Sequence, residues 1–180
     1  MLRSLDMPNW CDNDMQVKGP AQDVADIVAK MEEASRVHPD GREHLAIGLL
    51  ETFVPIGEWD YDKAVKAWGT KWDVETYVPD IVEAEDAESV ISMNFQSAWS
   101  PPCEALLQWS KSYPSCQFRI AYSEHGCCFW GVDIMKDGQV TDSQGGEIPD
   151  FVIEDDPNHD AAWDKAEEFL SLVKQWGEFT

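Results

Sequence analysis

The spacing of apolar positions changes repeatedly along this chain, and each change marks an element. From Cys11 to Val17 the period is two: Cys11, Asn13, Met15 and Val17 fall on one face, and Asp12, Asp14 and Gln16 on the other. That alternation predicts a strand. Gly19-Pro20 breaks it, and Val24, Ile27, Val28 and Met31 then recur at helical spacing. Pro39-Asp40-Gly41 is a turn, Glu43–Phe53 predicts a short helix with Leu45, Leu49 and Leu50 inward, and Val54–Glu58 is a loop. Asp60 is placed to cap a helix ending at Trp68, where Gly69 can take the left-handed conformation that stops it.

The stretch Trp68–Pro102 organises the rest. From Trp72 the period returns to two, with Trp72, Val74, Thr76 and Val78 on one face and Asp73, Glu75 and Tyr77 on the other. A turn near Glu85–Ala87 leads into Ser89–Ser97, where Ile91, Met93 and Phe95 share a face. The two runs predict a hairpin. Ser100 then caps a helix that starts at Pro101, where a missing N–H costs nothing, and Leu106, Trp109 and Tyr113 form its inner side.

Two more strands follow. Cys116, Phe118, Ile120 and Tyr122 alternate against Gln117 and Arg119, and after the turn Glu124-His125-Gly126 the run Cys127–Met135 is apolar enough on both faces to be covered on both. Asp137-Gly138 signals a hairpin into a weak strand, Gln139–Thr141. The final amphipathic run carries Ala162, Ala166, Phe169, Leu170, Val173 and Trp176 as its stripe and ends at Gly177.

The order β-α-(insert)-β-β-α-β predicts an α+β fold: a ferredoxin-like split βαβ sandwich, an antiparallel sheet with helices on one face, a helical insertion and a C-terminal helix over an edge or exposed face. Residues 1–180 then form one domain, with a core over 7–142, an insertion over 35–67, an acidic linker over 143–160 and the C-terminal helix over 161–177. Nine tryptophans and seven phenylalanines supply enough bulky apolar area for a real core at 180 residues. No apolar run is long enough for a transmembrane helix and the N-terminus lacks the apolar run of a secretory signal. With five cysteines in no framework spacing, reduced thiols and a cytoplasmic location are expected.

Several motifs carry a resemblance. Met7-Pro8-Asn9-Trp10 before a strand, Ala67-Trp68-Gly69-Thr70-Lys71-Trp72-Asp73, Ala98-Trp99-Ser100-Pro101-Pro102, and Tyr122-Ser123-Glu124-His125-Gly126 with Phe129-Trp130-Gly131 occur in one order. In these the chain resembles the YubB-type ferredoxin-like domain of bacteriophages and conjugative plasmids, over roughly residues 7–142. The resemblance implies a ferredoxin-like fold and a mobile-element origin. It implies no iron–sulfur cluster and brings no catalytic residues.

Charge changes the picture most. Thirty-five acids against thirteen Lys plus Arg leave −22, a field that repels nucleic acid and favours basic partners. Between Asp73 and Glu88 stand Asp73, Glu75, Asp80, Glu83, Glu85, Asp86 and Glu88 with no base among them. A second base-free stretch, Asp137–Asp164, contains the run Glu154-Asp155-Asp156. Alternate carboxylates on a strand stand about 7 Å apart, a spacing comparable to successive phosphates.

Chemistry is less legible. His125-Gly126-Cys127-Cys128, with Cys11, Cys103 and Cys116 elsewhere, suggests a metal, but neighbouring strand residues point apart and small buried hydrophobes explain the thiols better. A Cys11–His125 nucleophile pair would need a proximity that no motif guarantees. There is no phosphate loop, dinucleotide fingerprint or zinc-protease motif. The expectation is therefore a non-enzymatic protein with no cofactor and no metal. It would be an anti-defence inhibitor that binds a basic, nucleic-acid-binding host protein through Asp73, Glu75, Asp80, Glu83, Glu85, Asp86, Glu88, Glu154, Asp155 and Asp156, gathered on one side as a nucleic-acid mimic. The alternative is a nucleotide-sequestering protein with a pocket of Trp68, Lys71, Trp72 and Trp99, whose rings could stack on a base.

Overall fold

Strand Trp10–Pro20 is the spine of the molecule, hydrogen-bonded on both sides for most of its length. The computed structural model describes residues 9–36, 45–149 and 160–179. In chain order these form β1 (Trp10–Pro20), α1 (Ala21–Ala34), β2 (Ser35–Arg36), β3 (Leu45–Ile47), α2 (Leu49–Phe53), α3 (Tyr61–Trp68), β4 (Glu75–Tyr77) and β5 (Val82–Glu83). A 3₁₀ turn at Glu85–Ala87 is followed by β6 (Glu88–Ala98), α4 (Cys103–Ser112), β7 (Gln117–Glu124), β8 (Phe129–Lys136), β9 (Gln139–Glu147) and α5 (Asp160–Gln175). The main sheet is six-stranded and antiparallel in the order β5-β6-β1-β7-β8-β9. Its β1, α1, β5–β6, α4 and β7 form the ferredoxin-like β-α-β-β-α-β unit, and β8 and β9 extend it at one edge.

Register follows from alternation. Met15 faces Met93 and Ile120, and Val17 faces Ile91 and Phe118, so one sheet face becomes a continuous apolar layer. The helix α1 lays Val24, Ile27, Val28 and Met31 on it, and α4 adds Leu106 and Trp109. Trp109 stacks on Phe53 at 3.8 Å and meets the edge of Phe118 at 5.3 Å, which ties α2, α4 and the sheet together. Full burial of the Phe118 side chain contributes roughly 1.5–3 kcal/mol.

The helix α5 lies on the opposite face, the exposed-face position that was one of the two expected for it. Its Val173 packs on Ala121 and Val132, with Phe169 against Trp130 at 5.5 Å. Arg119, which alternation assigns to a polar face, is fully buried beneath it.

Four local expectations are corrected. Residues 45–47 form β3 rather than helix, and α2 is only Leu49–Phe53, because Gly48 turns left-handed (φ 78°) between them; residues 43 and 44 lie outside the described residues. The run Trp72–Val78 does not form a hairpin with β6. Its Glu75–Tyr77 joins a separate sheet, β2-β3-β4, and after Pro79 the hairpin partner of β6 is the two-residue β5. Ser100 does not cap α4: its hydroxyl donates to the carbonyl of Gly69 at 2.6 Å. At the other edge β9 continues to Glu147, beyond Thr141.

Candidate functional site

The acids sort by their place in the sheet. At the β5 border Glu83, Glu85 and Asp86 are exposed. Asp86 and Ala87 both hold left-handed backbone (φ 58° and 60°), a conformation that costs non-glycine residues roughly 1–2 kcal/mol each. The Ala84 N–H donates to the Glu88 carbonyl at 2.9 Å and closes the turn. Beside these carboxylates Ile81 and Val82 are 42% and 62% exposed. Ile81 lines a recess of about 600 Å³ together with Ala84, Ala87 and Ser89. Exposed apolar side chains ringed by charge on a sheet edge are the usual signature of a contact surface. Glu88 also lines it, 3.8 Å from the Lys18 ammonium.

The remaining acids are elsewhere. Glu75 and Asp80 are exposed on and just after β4. Asp142 and Glu147 are exposed along β9, the far border of the main sheet, and Asp137 is exposed in the turn that leads into it. Five strand spacings separate the two borders, about 24 Å. Among the described residues the exposed carboxylates therefore stand on both borders of the main sheet and beside β4, not on one side, because the acidic stretches fold into different edge strands. Glu154, Asp155 and Asp156 lie outside the described residues.

Asp73 has a different job. Its carboxylate accepts from the N–H groups of Leu50 (2.7 Å), Glu51 (2.9 Å) and Val74 (2.8 Å), satisfying donors at the start of α2 that have no partner within the helix. Burial pushes its carboxyl above the ordinary value, against the pull of those amides. It is structural, not a surface charge.

The tryptophans divide too. Trp68 is inside the core, its indole N–H bonded to the Val54 carbonyl at 2.8 Å, so it lines no open pocket with Trp72 and Trp99. Lys71 lies over the Trp72 ring, 4.5 Å from its centroid. Trp99 is 46% exposed and left-handed (φ 72°), and its N–H donates to the Asn9 carbonyl at 2.9 Å. Two rings that sequence reasoning left out belong with them. Trp10, opposite Ala98 in the β1–β6 ladder, sits 6.2 Å from Trp72, and Trp59 donates its indole N–H to the Lys71 carbonyl at 3.1 Å. The signal for Trp10 was its place at the head of the first strand, one register step from Trp99.

The His-Cys-Cys stretch is an exposed turn, not strand: Cys127 and Cys128 precede β8, and Cys128 is left-handed (φ 54°). They are not the buried hydrophobes expected. The Glu124 carboxylate accepts from the N–H groups of Gly126 and Cys127, both at 2.6 Å, and holds the turn. His125 packs edge-on to Trp163 and meets Glu167 at 3.3 Å, so it anchors α5. No group of three or more His, Cys, Asp or Glu side chains is arranged to hold a metal among the described residues. Burial pushes the Cys11 thiol up to about 12, which suits a core side chain and not a nucleophile.

A family model described as the ferredoxin-like domain in Api92-like protein matches residues 67–172, more than half of the chain, including the β5 border, Trp72 and Trp99. Among solved structures the chain is similar to the crystal structure of a protein api92 from Yersinia pseudotuberculosis. The two are 12% identical over 79% of this chain and 98% of that one, with a TM-score of 0.49. No curated protein matches the sequence. The chain belongs to the family defined by the ferredoxin-like domain of Api92-like proteins.

Proposed function

We propose that this is a non-enzymatic binding protein, an anti-defence inhibitor of mobile-element origin that acts in the bacterial cytoplasm. It engages a basic, nucleic-acid-binding host protein through acidic surface and thereby competes with nucleic acid. The YubB-type resemblance over residues 7–142 supports the phage or plasmid origin. The observation that carries the reading is the β5 border, where Ile81 and Val82 stand exposed among Glu83, Glu85 and Asp86, beside the strained turn at Asp86 and Ala87. Apolar contact gives such a surface affinity, and the carboxylates steer a cationic partner and exclude anionic ones. With the acids on two margins, the contact is one border at a time rather than a single ribbon.

The test is capture from bacterial lysate by wild type and by a variant with Glu83→Lys, Glu85→Lys and Asp86→Lys. The wild type should retain a nucleic-acid-binding protein that duplex DNA displaces, and the variant should not. Equal retention by both removes the β5 border from the interaction.

A further inference from the structure

We propose that the tryptophan cluster at the end of the β1–β6 pair is a docking site for the arginine side chains of a cationic partner segment. The inference rests on the reading that the partner is basic, but it concerns a different surface from the β5 border. Trp10, Trp59 and Trp99 are 46%, 52% and 46% exposed, an unusual area of indole to leave in water. Trp10 and Trp59 are joined through the Lys71–Trp72 pair rather than scattered: Trp10 lies 6.2 Å from Trp72, and Trp59 is fastened to the backbone of Lys71. Trp99 keeps its half-exposed position at the expense of left-handed backbone.

Charge selects the occupant. Glu58 and Asp60 flank Trp59 and are exposed, within a chain of net charge −22. Indole faces attract cations, and a guanidinium stacks on them better than an ammonium does. The cluster already holds one cation in this way, because the Lys71 ammonium sits 4.5 Å from the Trp72 centroid. A partner arginine extends that arrangement onto the open rings of Trp10 and Trp59.

The probe is an octa-arginine peptide, compared with octa-lysine by calorimetry and tryptophan fluorescence. The wild type should prefer octa-arginine by about tenfold, and Trp10→Ala with Trp59→Ala should erase the preference and leave weaker, salt-sensitive binding to the acids. Lys71→Met, which leaves every ring in place, should tighten octa-arginine binding several-fold by removing a competing cation. If the double variant keeps the arginine preference, or Lys71→Met weakens binding, the cluster is not the anchor and the β5 reading stands apart. If neither peptide binds the wild type, both readings fall. A dimer formed without peptide and dissociated by Trp10→Ala would assign the cluster to a second copy of the chain and overturn the proposal.

Discussion

Arg119 donates through Nε to the carbonyl oxygen of Trp176 at 2.8 Å, joining the middle of the sheet to the end of α5. The same guanidinium donates to the Lys174 carbonyl and, at 3.3 Å, to Asp14, and it is fully buried. A planar donor fork thus meets the carbonyls that the last turn of a helix leaves unpaired. Arg119→Leu should destabilise the protein by about 3 kcal/mol, the low end for a broken buried pair because Asp14 keeps some solvent. Hydrogen exchange should then show α5 losing protection while β1 keeps it. Arg119→Lys should rescue little, since a single ammonium cannot reproduce the fork.

Asp73 should behave as a cap and not as a partner contact. Asp73→Ala should cost about 1–2 kcal/mol in chemical denaturation, in the range of a lost helix cap, and leave salt-sensitive partner binding unchanged once the protein is folded. Weaker binding at unchanged stability would return Asp73 to the acidic surface.

The five thiols should divide by reactivity. Cys127 and Cys128 are exposed in the β7–β8 turn, whereas Cys11 and Cys116 are buried, with burial pushing their thiols up to about 12 and about 11. Burial also raises Cys103, with Asp133 beside it adding to the effect. An alkylating reagent at neutral pH should modify Cys127 and Cys128 in the native protein and the other three only on unfolding, read by mass spectrometry.

Asp26 links stability to pH. The Tyr113 hydroxyl first, at 2.6 Å, and then the Lys30 ammonium, at 2.9 Å, hold its carboxyl below the ordinary 3.8. A depressed carboxyl contributes stability that is present above the unfolded value and lost as pH falls through the folded one. Tyr113→Phe should therefore move the Asp26 carboxyl back up toward 3.8, followed by carbon NMR.

Local alternation was legible and its partners were not. Met15, Val17, Phe118 and Ile120 declare their faces by period alone, and the stripe of α5 is equally plain. Which face α5 covers depends on contacts distant in sequence, so Arg119 read as a polar strand position until the helix that needs its donors was in place. Glu75–Tyr77 read as a strand for the same local reason, yet strand pairing is non-local and it joined β3. For the candidate site, the charge of Glu83, Glu85 and Asp86 was visible from composition. That Asp73 is used internally, and that Trp10 and Trp59 join Trp72 while Trp68 turns inward, is settled by tertiary contacts that no window of sequence contains.

The salt dependence of binding to the captured, purified partner tests the electrostatic reading most directly. Affinity measured across a salt series should fall steeply for the wild type, and the slope should flatten when Glu83, Glu85 and Asp86 become lysine, because fewer opposite charges meet across the interface. An identical slope for the two proteins would contradict it.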